Sequence, residues 1–112
     1  MSDDNAEPPV AGPPNPKEFL ARVRFLAQDT SFISWSRHAR ERMEERDISI
    51  RMAVTVIREG YLKGEVVAGK SQGEWKAKIV RNAKGRRDVG VVVLLFRNDR
   101  LLVKTVEWED VR

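Results

Sequence analysis

The feature that most constrains the fold is a change in the spacing of apolar residues at Gly60. Before this glycine, apolar residues such as Phe19, Val23 and Leu26 recur about every 3.6 positions, which is the spacing of one helix face. After it, short apolar or alternating runs are separated by turns that contain Gly, Asn or Asp. The sequence therefore predicts an α+β domain in which about three N-terminal helices are followed by a four-stranded, mainly antiparallel sheet.

The first and third helices have recognisable ends. Asn15 can cap the first helix, and Pro16 suits its first position because no hydrogen-bond donor is needed there. Residues 32–35 are expected to form a short extended stretch that leads into the second helix. The third helix is expected to follow Ser49 and to end at Gly60. Its predicted core face consists of Ile50, Ala53, Val54 and Ile57.

Four strands are predicted after Gly60, at residues 61–67, 74–82, 88–96 and 101–108. Alternate side chains of a strand face opposite sides of a sheet. In the second strand, one side is therefore assigned Trp75, Ala77 and Ile79, and the other side Lys76 and Lys78. The third strand is apolar on both faces, which is typical of a central strand. One face of the sheet is expected to be exposed and basic.

The charge of the chain is divided unevenly. Residues 1–16 contain three acidic side chains, no lysine or arginine and all five prolines, whereas residues 17–112 contain 21 basic and 14 acidic side chains. An acidic, proline-rich segment without apolar periodicity has little to bury. Residues 1–15 are therefore predicted to form a disordered leader, and residues 16–112 a single basic domain. Such a domain favours polyanionic partners, RNA above all.

The composition also argues against several classes of site. The chain has no cysteine and one histidine, so disulfides and transition-metal sites are not expected, and no cofactor is predicted. Its acidic residues mostly lie at salt-bridge spacing from Arg or Lys, which argues against paired catalytic acids. No apolar run approaches the roughly 18 residues of a membrane span, and the N-terminus lacks a signal-peptide pattern. We therefore expect a cytoplasmic protein without a membrane partner.

The histidine lies in the densest charged segment of the chain, residues 36–46. In a helix, His38, Arg42 and Arg46 follow one another at intervals of four residues and share one face. An imidazole beside two guanidinium groups suits phosphate chemistry, because it can move a proton near neutral pH while the fixed cations hold an anion. The alternative is a solvated helix face on which Glu41 and Glu45 neutralise the arginines.

Basic side chains of the second half are expected to converge on the exposed sheet face and on one turn. They are Lys63, Lys76, Lys78, Arg81, Lys84, Arg86 and Arg87. With Arg46, they form a predicted track for the phosphate backbone of RNA. Three tryptophans and Tyr61 are available to stack on bases, although a tryptophan in a domain of this size more often belongs to the core.

The run His38-Ala-Arg-Glu-Arg-Met-Glu-Glu-Arg46, with a following helix that ends at Gly60, resembles a small bacterial family of unknown function. Further marks are the strand led by Trp75 and the closing strand at 103–106. That family is placed near the RelE-like toxins, and the order of elements over about residues 17–109 resembles their MqsR branch of mRNA interferases. The resemblance implies a RelE/MqsR-like fold, cleavage of RNA without a metal, and an antitoxin protein as partner.

The site residues of MqsR-type toxins carry over only in part. Lys63 lies at the start of the sheet, as their lysine does, and Trp75 matches their Trp-Gln pair, but Lys76 replaces the glutamine. Their catalytic tyrosine has no counterpart in residues 88–96. We therefore expect His38 to carry the acid/base chemistry, as base or as acid. The expected phosphate cradle consists of Arg42, Lys63, Lys76 and Arg81.

Two functions remain open from the sequence. The first is a metal-independent endoribonuclease of toxin–antitoxin type, in which the ribose 2′-OH attacks its own phosphate. There, a lysine whose pKa is lowered by neighbouring cations can be the second proton carrier. The second is a non-catalytic RNA- or protein-binding module of the same fold, in which His38 hydrogen-bonds a strand backbone and docks its helix. The His38 helix and the basic sheet favour the first function, and the missing tyrosine favours the second.

Overall fold

The computed structural model describes residues 13–110, which form three α-helices and five β-strands. The helices are α1 (Pro16–Leu26), α2 (Arg37–Arg46) and α3 (Ile50–Glu59). The strands are β1 (Ile33–Trp35), β2 (Tyr61–Ala68), β3 (Trp75–Lys84), β4 (Arg87–Leu95) and β5 (Leu101–Trp108). The α+β class is confirmed, and the predicted strands agree with β2 to β5 within two residues at each end.

The leader prediction concerns residues 1–15, of which only 13–15 belong to the described part of the chain. Residues 1–12 lie outside it. Within residues 13–110, no helix combines the length and the apolar character that a transmembrane span requires.

Each helix starts where a polar side chain satisfies free backbone N–H groups. Asn15, Ser36 and Ser49 are the N-caps of α1, α2 and α3, and a side-chain oxygen of each accepts a hydrogen bond from the first turn. Helix α3 ends at Gly60, where a Cβ would lie 2.6 Å from the carbonyl oxygen of Val56. A larger residue has no room there. The predicted starts of α1 and α3 and the end of α3 are confirmed.

The strands form one mixed sheet in the order β1–β5–β4–β3–β2. Strand β1 pairs in parallel with β5, and the other neighbours are antiparallel. The prediction of four strands that follow all the helices was therefore wrong in one respect, since β1 lies between α1 and α2 in the chain. Three residues are too few for a strand signal in the sequence. Pairing with residues 101–103, far along the chain, holds β1 in place.

The helices cover one face of the sheet. Helix α2 packs on β5, α3 on β3 and β4, and α1 on α3 and β2. Phe19, Ile57 and Ile79 are fully buried between these layers. Ile50, which the helical spacing assigned to the core, is instead 56% exposed. It is the first residue of α3, and the core contacts of this helix begin at Met52.

The other face carries no helix within residues 13–110, and it is called the open face below. Alternation along β3 places Ala77 and Ile79 in the core and Lys76 and Lys78 on the open face, as predicted. Strand β4 is the middle strand of the sheet and is apolar on both faces, which confirms its predicted central position. The open face is therefore the place to look for the predicted basic surface.

Candidate active site on the open face of the sheet

A groove of about 510 Å³ crosses one end of the open face. Leu94 of β4 and Leu102 of β5 lie at its middle. The other residues that line it are Ser36, His38, Ala68, Gly69, Lys70, Glu74, Lys76 and Lys104. The groove thus brings together two predicted catalytic residues, His38 and Lys76, that are far apart in the sequence.

The two walls of the groove come from opposite edges of the sheet. The first wall, which includes Ser36 and His38, follows the edge strand β1, and the second is the hairpin between β2 and β3. Lys76 pairs with Leu94, and Leu94 pairs with Leu102. Strands β3 and β5 are therefore two strand spacings, or about 10 Å, apart. This is the spacing between the strand of Lys76 and the strand of Leu102 and Lys104.

The junction between β1 and α2 positions His38. Ser36 N donates a hydrogen bond to Val103 O at 3.0 Å, and Ser36 Oγ donates to Lys104 O at 2.9 Å, so the junction is tied to β5. The same Oγ accepts a hydrogen bond from Ala39 N at 2.9 Å and starts α2. His38 is exposed and has no hydrogen-bond partner among residues 13–110. Its imidazole is therefore available to a ligand in the groove.

Lys104 is a cation of the groove that the sequence analysis did not single out. Val92 pairs with Thr105, whereas the residue after Val92 pairs with Val103, so Lys104 is the additional residue of a β-bulge. A bulge interrupts the two-residue alternation and redirects a side chain. Neither Lys76 nor Lys104 forms an ion pair with another residue in the range 13–110. Both ammonium groups are therefore available to bind an anion.

The middle of the open face holds four charged side chains that pair with one another. This ion-pair cluster consists of Lys63, Lys78, Glu107 and Glu109. Lys63 Nζ lies 2.8 Å from Glu109 Oε1. Lys78 Nζ lies 2.8 Å from Glu107 Oε2 and 3.0 Å from Glu109 Oε2. The Glu109 side chain is only 10% exposed and lies against Gly90, where the missing Cβ leaves space for its carboxylate.

The cluster shifts the pKa values of two of its members. Burial alone would lower the pKa of Lys78, but the hydrogen bonds and negative charges of Glu107 and Glu109 outweigh burial and raise it. Burial alone would raise the pKa of Glu109, but the hydrogen bonds from Lys63 and Lys78 outweigh burial and lower it. Lys63 and Lys78 are thus neutralised rather than free. The lowered pKa expected of a proton-carrying lysine is not found at Lys78, where the shift has the opposite sign.

A family model for a domain of unknown function (DUF4258) matches residues 35–108, which is more than half of the 112-residue chain. The chain belongs to this family. No curated protein and no solved structure matches it. In this DUF4258 member, the matched segment runs from the end of β1 to the end of β5, so it contains every residue that lines the groove and leaves out α1.

On α2 of this DUF4258 member, the predicted group of His38, Arg42 and Arg46 does not form one site. Arg42 pairs with Glu45 at 2.7 Å, as the solvated alternative implied. Arg46 Nη1 donates to Val106 O at 3.2 Å. It lies eight residues from His38, or about 12 Å along the helix axis. Neither arginine lines the groove with His38.

The predicted RNA-binding turn of the DUF4258 domain lies beyond the end of β3 that is remote from the groove. Arg81 follows Lys76 by five residues, or about 17 Å along the strand. Arg81 pairs with Glu59 at 3.0 Å. Lys84 closes β3, and Arg86 lies in the turn, exposed and without an ion pair among residues 13–110. The seven predicted cations therefore do not form one continuous track.

The tryptophans of the DUF4258 domain belong to the core rather than to a stacking surface. Trp108 is 7% exposed, and the Arg87 guanidinium lies 4.0 Å from the centre of its ring. Arg87 also pairs with Asp110 at 3.2 Å. Trp35 and Trp75 pack against the core. Arg87, which the sequence assigned to RNA, therefore has two partners within the protein.

Glu74, in the hairpin wall of the groove, was not singled out from the sequence. Its Oε1 accepts a hydrogen bond from Lys70 N at 3.2 Å, and its carboxylate forms no ion pair within residues 13–110. A Cβ at Gly69 would lie 2.5 Å from this oxygen, so the glycine permits the close approach. A signal was present, since Glu74 is two residues before Lys76 and such residues share a strand face.

The groove therefore combines one imidazole, one carboxylate and three ammonium groups around an apolar centre. The ammonium groups of Lys70, Lys76 and Lys104 form no ion pair within residues 13–110. These groups can bind a phosphate and move protons at its two sides. Neither in the groove nor elsewhere in residues 13–110 do three His, Asp or Glu side chains form a group that could hold a metal ion.

Proposed function

We propose that this protein is a metal-independent endoribonuclease of the toxin–antitoxin type, and that the groove is its active site. The observation that carries the proposal is that His38, Lys76 and Lys104 line one groove while the two lysines lack carboxylate partners within residues 13–110. RNA is the proposed substrate. The proposed partner is an antitoxin protein that blocks the groove.

The reaction is attack of a ribose 2′-OH on the adjacent phosphate. It requires proton transfer at two oxygens and cations that stabilise the additional negative charge of the phosphorane. His38 supplies an imidazole that can act as general acid or general base. Lys76 and Lys104 supply the cations, in place of the cradle of Arg42, Lys63, Lys76 and Arg81 expected from the sequence.

The surroundings of His38 support this proposal over a purely structural histidine. A structural role would require His38 to hydrogen-bond a strand and to dock α2. Ser36 makes that hydrogen bond instead, to Lys104 O, and the buried side chains of Ala39 and Met43 dock the helix. His38 is exposed, so its presence is not explained by packing.

A non-catalytic binding module remains the second candidate because of the ion-pair cluster. Its two glutamates neutralise Lys63 and Lys78, so only part of the open face is cationic. Such a surface can bind a short segment of RNA without cleaving it.

The test is the pair of variants His38→Ala and His38→Gln, assayed on single-stranded RNA and for toxicity on expression. Both variants should lose about 10²-fold or more in cleavage rate, since glutamine hydrogen-bonds but carries no proton at neutral pH. Their stability should change by less than about 1 kcal/mol because the side chain is exposed. Cleavage by the wild type should leave a 2′,3′-cyclic phosphate and be insensitive to chelators.

The matched control is Arg40→Ala, a change at an exposed residue of the same helix that does not line the groove. It should cleave at the wild-type rate. If the wild-type protein binds RNA but neither cuts it nor slows growth, the nuclease proposal fails and the binding module replaces it.

A further inference from the structure

Two groups that can transfer protons stand on opposite walls of the groove. His38 follows the edge strand β1, and Glu74 belongs to the hairpin at the other edge of the sheet. Leu94 and Leu102 lie between them on the two intervening strands. In an in-line displacement at phosphorus, the attacking and the leaving oxygen lie on opposite sides of the phosphorus atom. A base and an acid for this reaction must therefore come from two sides, as these two groups do.

Glu74 is held in place without being neutralised. The backbone N–H of Lys70 donates to Oε1, and the side chain lies against the backbone of Gly69. Its second oxygen, Oε2, accepts no hydrogen bond from residues 13–110. By contrast, Glu107 and Glu109 are both occupied by lysines of the ion-pair cluster. Glu74 thus offers a positioned and unoccupied carboxylate oxygen to the groove.

We infer that Glu74 is the general base of the groove and that His38 is its general acid. The inference rests on the proposed ribonuclease function. The Glu74 carboxylate takes the proton from the 2′-OH, and the 2′-oxygen forms a bond to phosphorus. The bond between phosphorus and the 5′-oxygen breaks, and the His38 imidazolium gives its proton to that oxygen. The products are a 2′,3′-cyclic phosphate and a 5′-hydroxyl, with Lys76 and Lys104 beside the phosphorane.

The first experiment measures kcat/KM against pH on a mixed-sequence single-stranded RNA oligonucleotide. Glu74→Gln should lower the rate about 10²- to 10⁴-fold and remove the acidic limb of the profile, since the amide cannot accept the proton. Glu74→Asp should keep that limb at a reduced rate. The control Glu65→Gln makes the same charge change at an exposed residue outside the groove and should keep both the rate and the limb.

The second experiment separates the base from the acid. An RNA with sulfur in place of the bridging 5′-oxygen has a leaving group that needs no proton. On this substrate His38→Ala should recover most of the wild-type rate, whereas Glu74→Gln should not. Recovery by Glu74→Gln alone would reverse the two roles and overturn the assignment.

The remaining outcomes are also decisive. A folded Glu74→Gln variant that keeps the acidic limb overturns the role of Glu74, while the nuclease function stands if the wild type still cleaves and His38→Ala does not. A wild type that cleaves no RNA overturns both proposals together. Thermal unfolding of each variant shows whether it is folded. If Glu74→Gln does not fold, Glu74→Asp supplies the test.

Discussion

The groove and the ion-pair cluster lie side by side on the open face, but their lysines differ in whether they are paired with carboxylates. Lys76 and Lys78 are two residues apart on β3 and face the same way. Lys78 lies within 3.0 Å of two carboxylates, whereas Lys76 has no carboxylate partner among residues 13–110. Alternation along a strand therefore tells which lysines share a face, but not which of them remain cationic towards a ligand.

The difference comes from two glutamates at and just beyond the C-terminal end of β5. Glu107 and Glu109 belong to the last strand and to the residues that follow it, and they reach Lys78 across β4. No such carboxylate lies at the groove end of β5, where Leu102 and Lys104 line the cavity. Because opposite charges at contact distance cancel each other's field, the cluster divides the face into a neutral middle and a cationic end.

The largest effect that would test this division is on RNA cleavage. Lys76→Ala should lower kcat/KM about 10²-fold, because it removes a cation beside the phosphorane. Lys78→Ala should change kcat/KM by less than about threefold, since its charge is already compensated. The measurement is cleavage of the same single-stranded RNA by both variants. Equal losses in the two variants would show that the cluster opens to bind substrate. The distinction between a cationic groove and a neutral cluster would then be wrong.

Much of the fold follows from local patterns. The helix caps, the end of α3 at Gly60 and the alternation in β3 are all local signals, and the structure agrees with them. Strand β1 was predicted only as an extended stretch, because its pairing joins residues 33–35 to residues 101–103. Ile50 was misassigned because periodicity does not show where a helix leaves its contact surface.

The candidate site was predictable only in part, for a related reason. His38 and Lys76 stood out by residue type and by alternation, and both line the groove. Lys104 did not, since a bulge in β5 cannot be recognised from one sequence. The partners of Lys63 and Lys78 depend on how β5 is placed in the sheet, which no local spacing reveals. Long-range pairing therefore decides which of the predicted cations form a site.

A smaller effect is expected on stability, at the cluster rather than at the groove. Glu109→Gln keeps the shape of a nearly buried side chain but removes the charge that two lysines share. It should lower the free energy of unfolding by about 1–2 kcal/mol. Glu107→Gln is the matched control, with one lysine partner and greater exposure, and should cost less than about 1 kcal/mol. Urea unfolding at neutral pH measures both.

The pH dependence of that difference has a defined sign. The pKa of Glu109 in the folded protein lies below its ordinary value of 4.5, so its contribution is present above that pH and is lost as the pH falls through the lowered value. The pKa of Lys78 is raised above 10.5, so its contribution is lost only as the pH rises above that value. Wild type and Glu109→Gln should therefore converge in acid. A stability gap that does not narrow as the pH falls below 4.5 would show that the charge of Glu109 is not its cause.

The smallest expected effect concerns the remote turn, where the sequence placed much of the RNA-binding surface. Arg86 is exposed and unpaired within residues 13–110, whereas Arg87 is held by Asp110 and the Trp108 ring. If RNA reaches the turn, Arg86→Ala should lower the slope of log affinity against log salt by about 0.7, the contribution of one single-strand phosphate. Arg87→Ala should leave the slope unchanged, because a paired guanidinium has little net charge to offer. Salt titrations of RNA binding with catalytically inactive His38→Ala as background measure both slopes. A slope unchanged by Arg86→Ala would confine RNA to the groove end of the open face, whereas a loss with Arg87→Ala would show that its pair with Asp110 opens on binding.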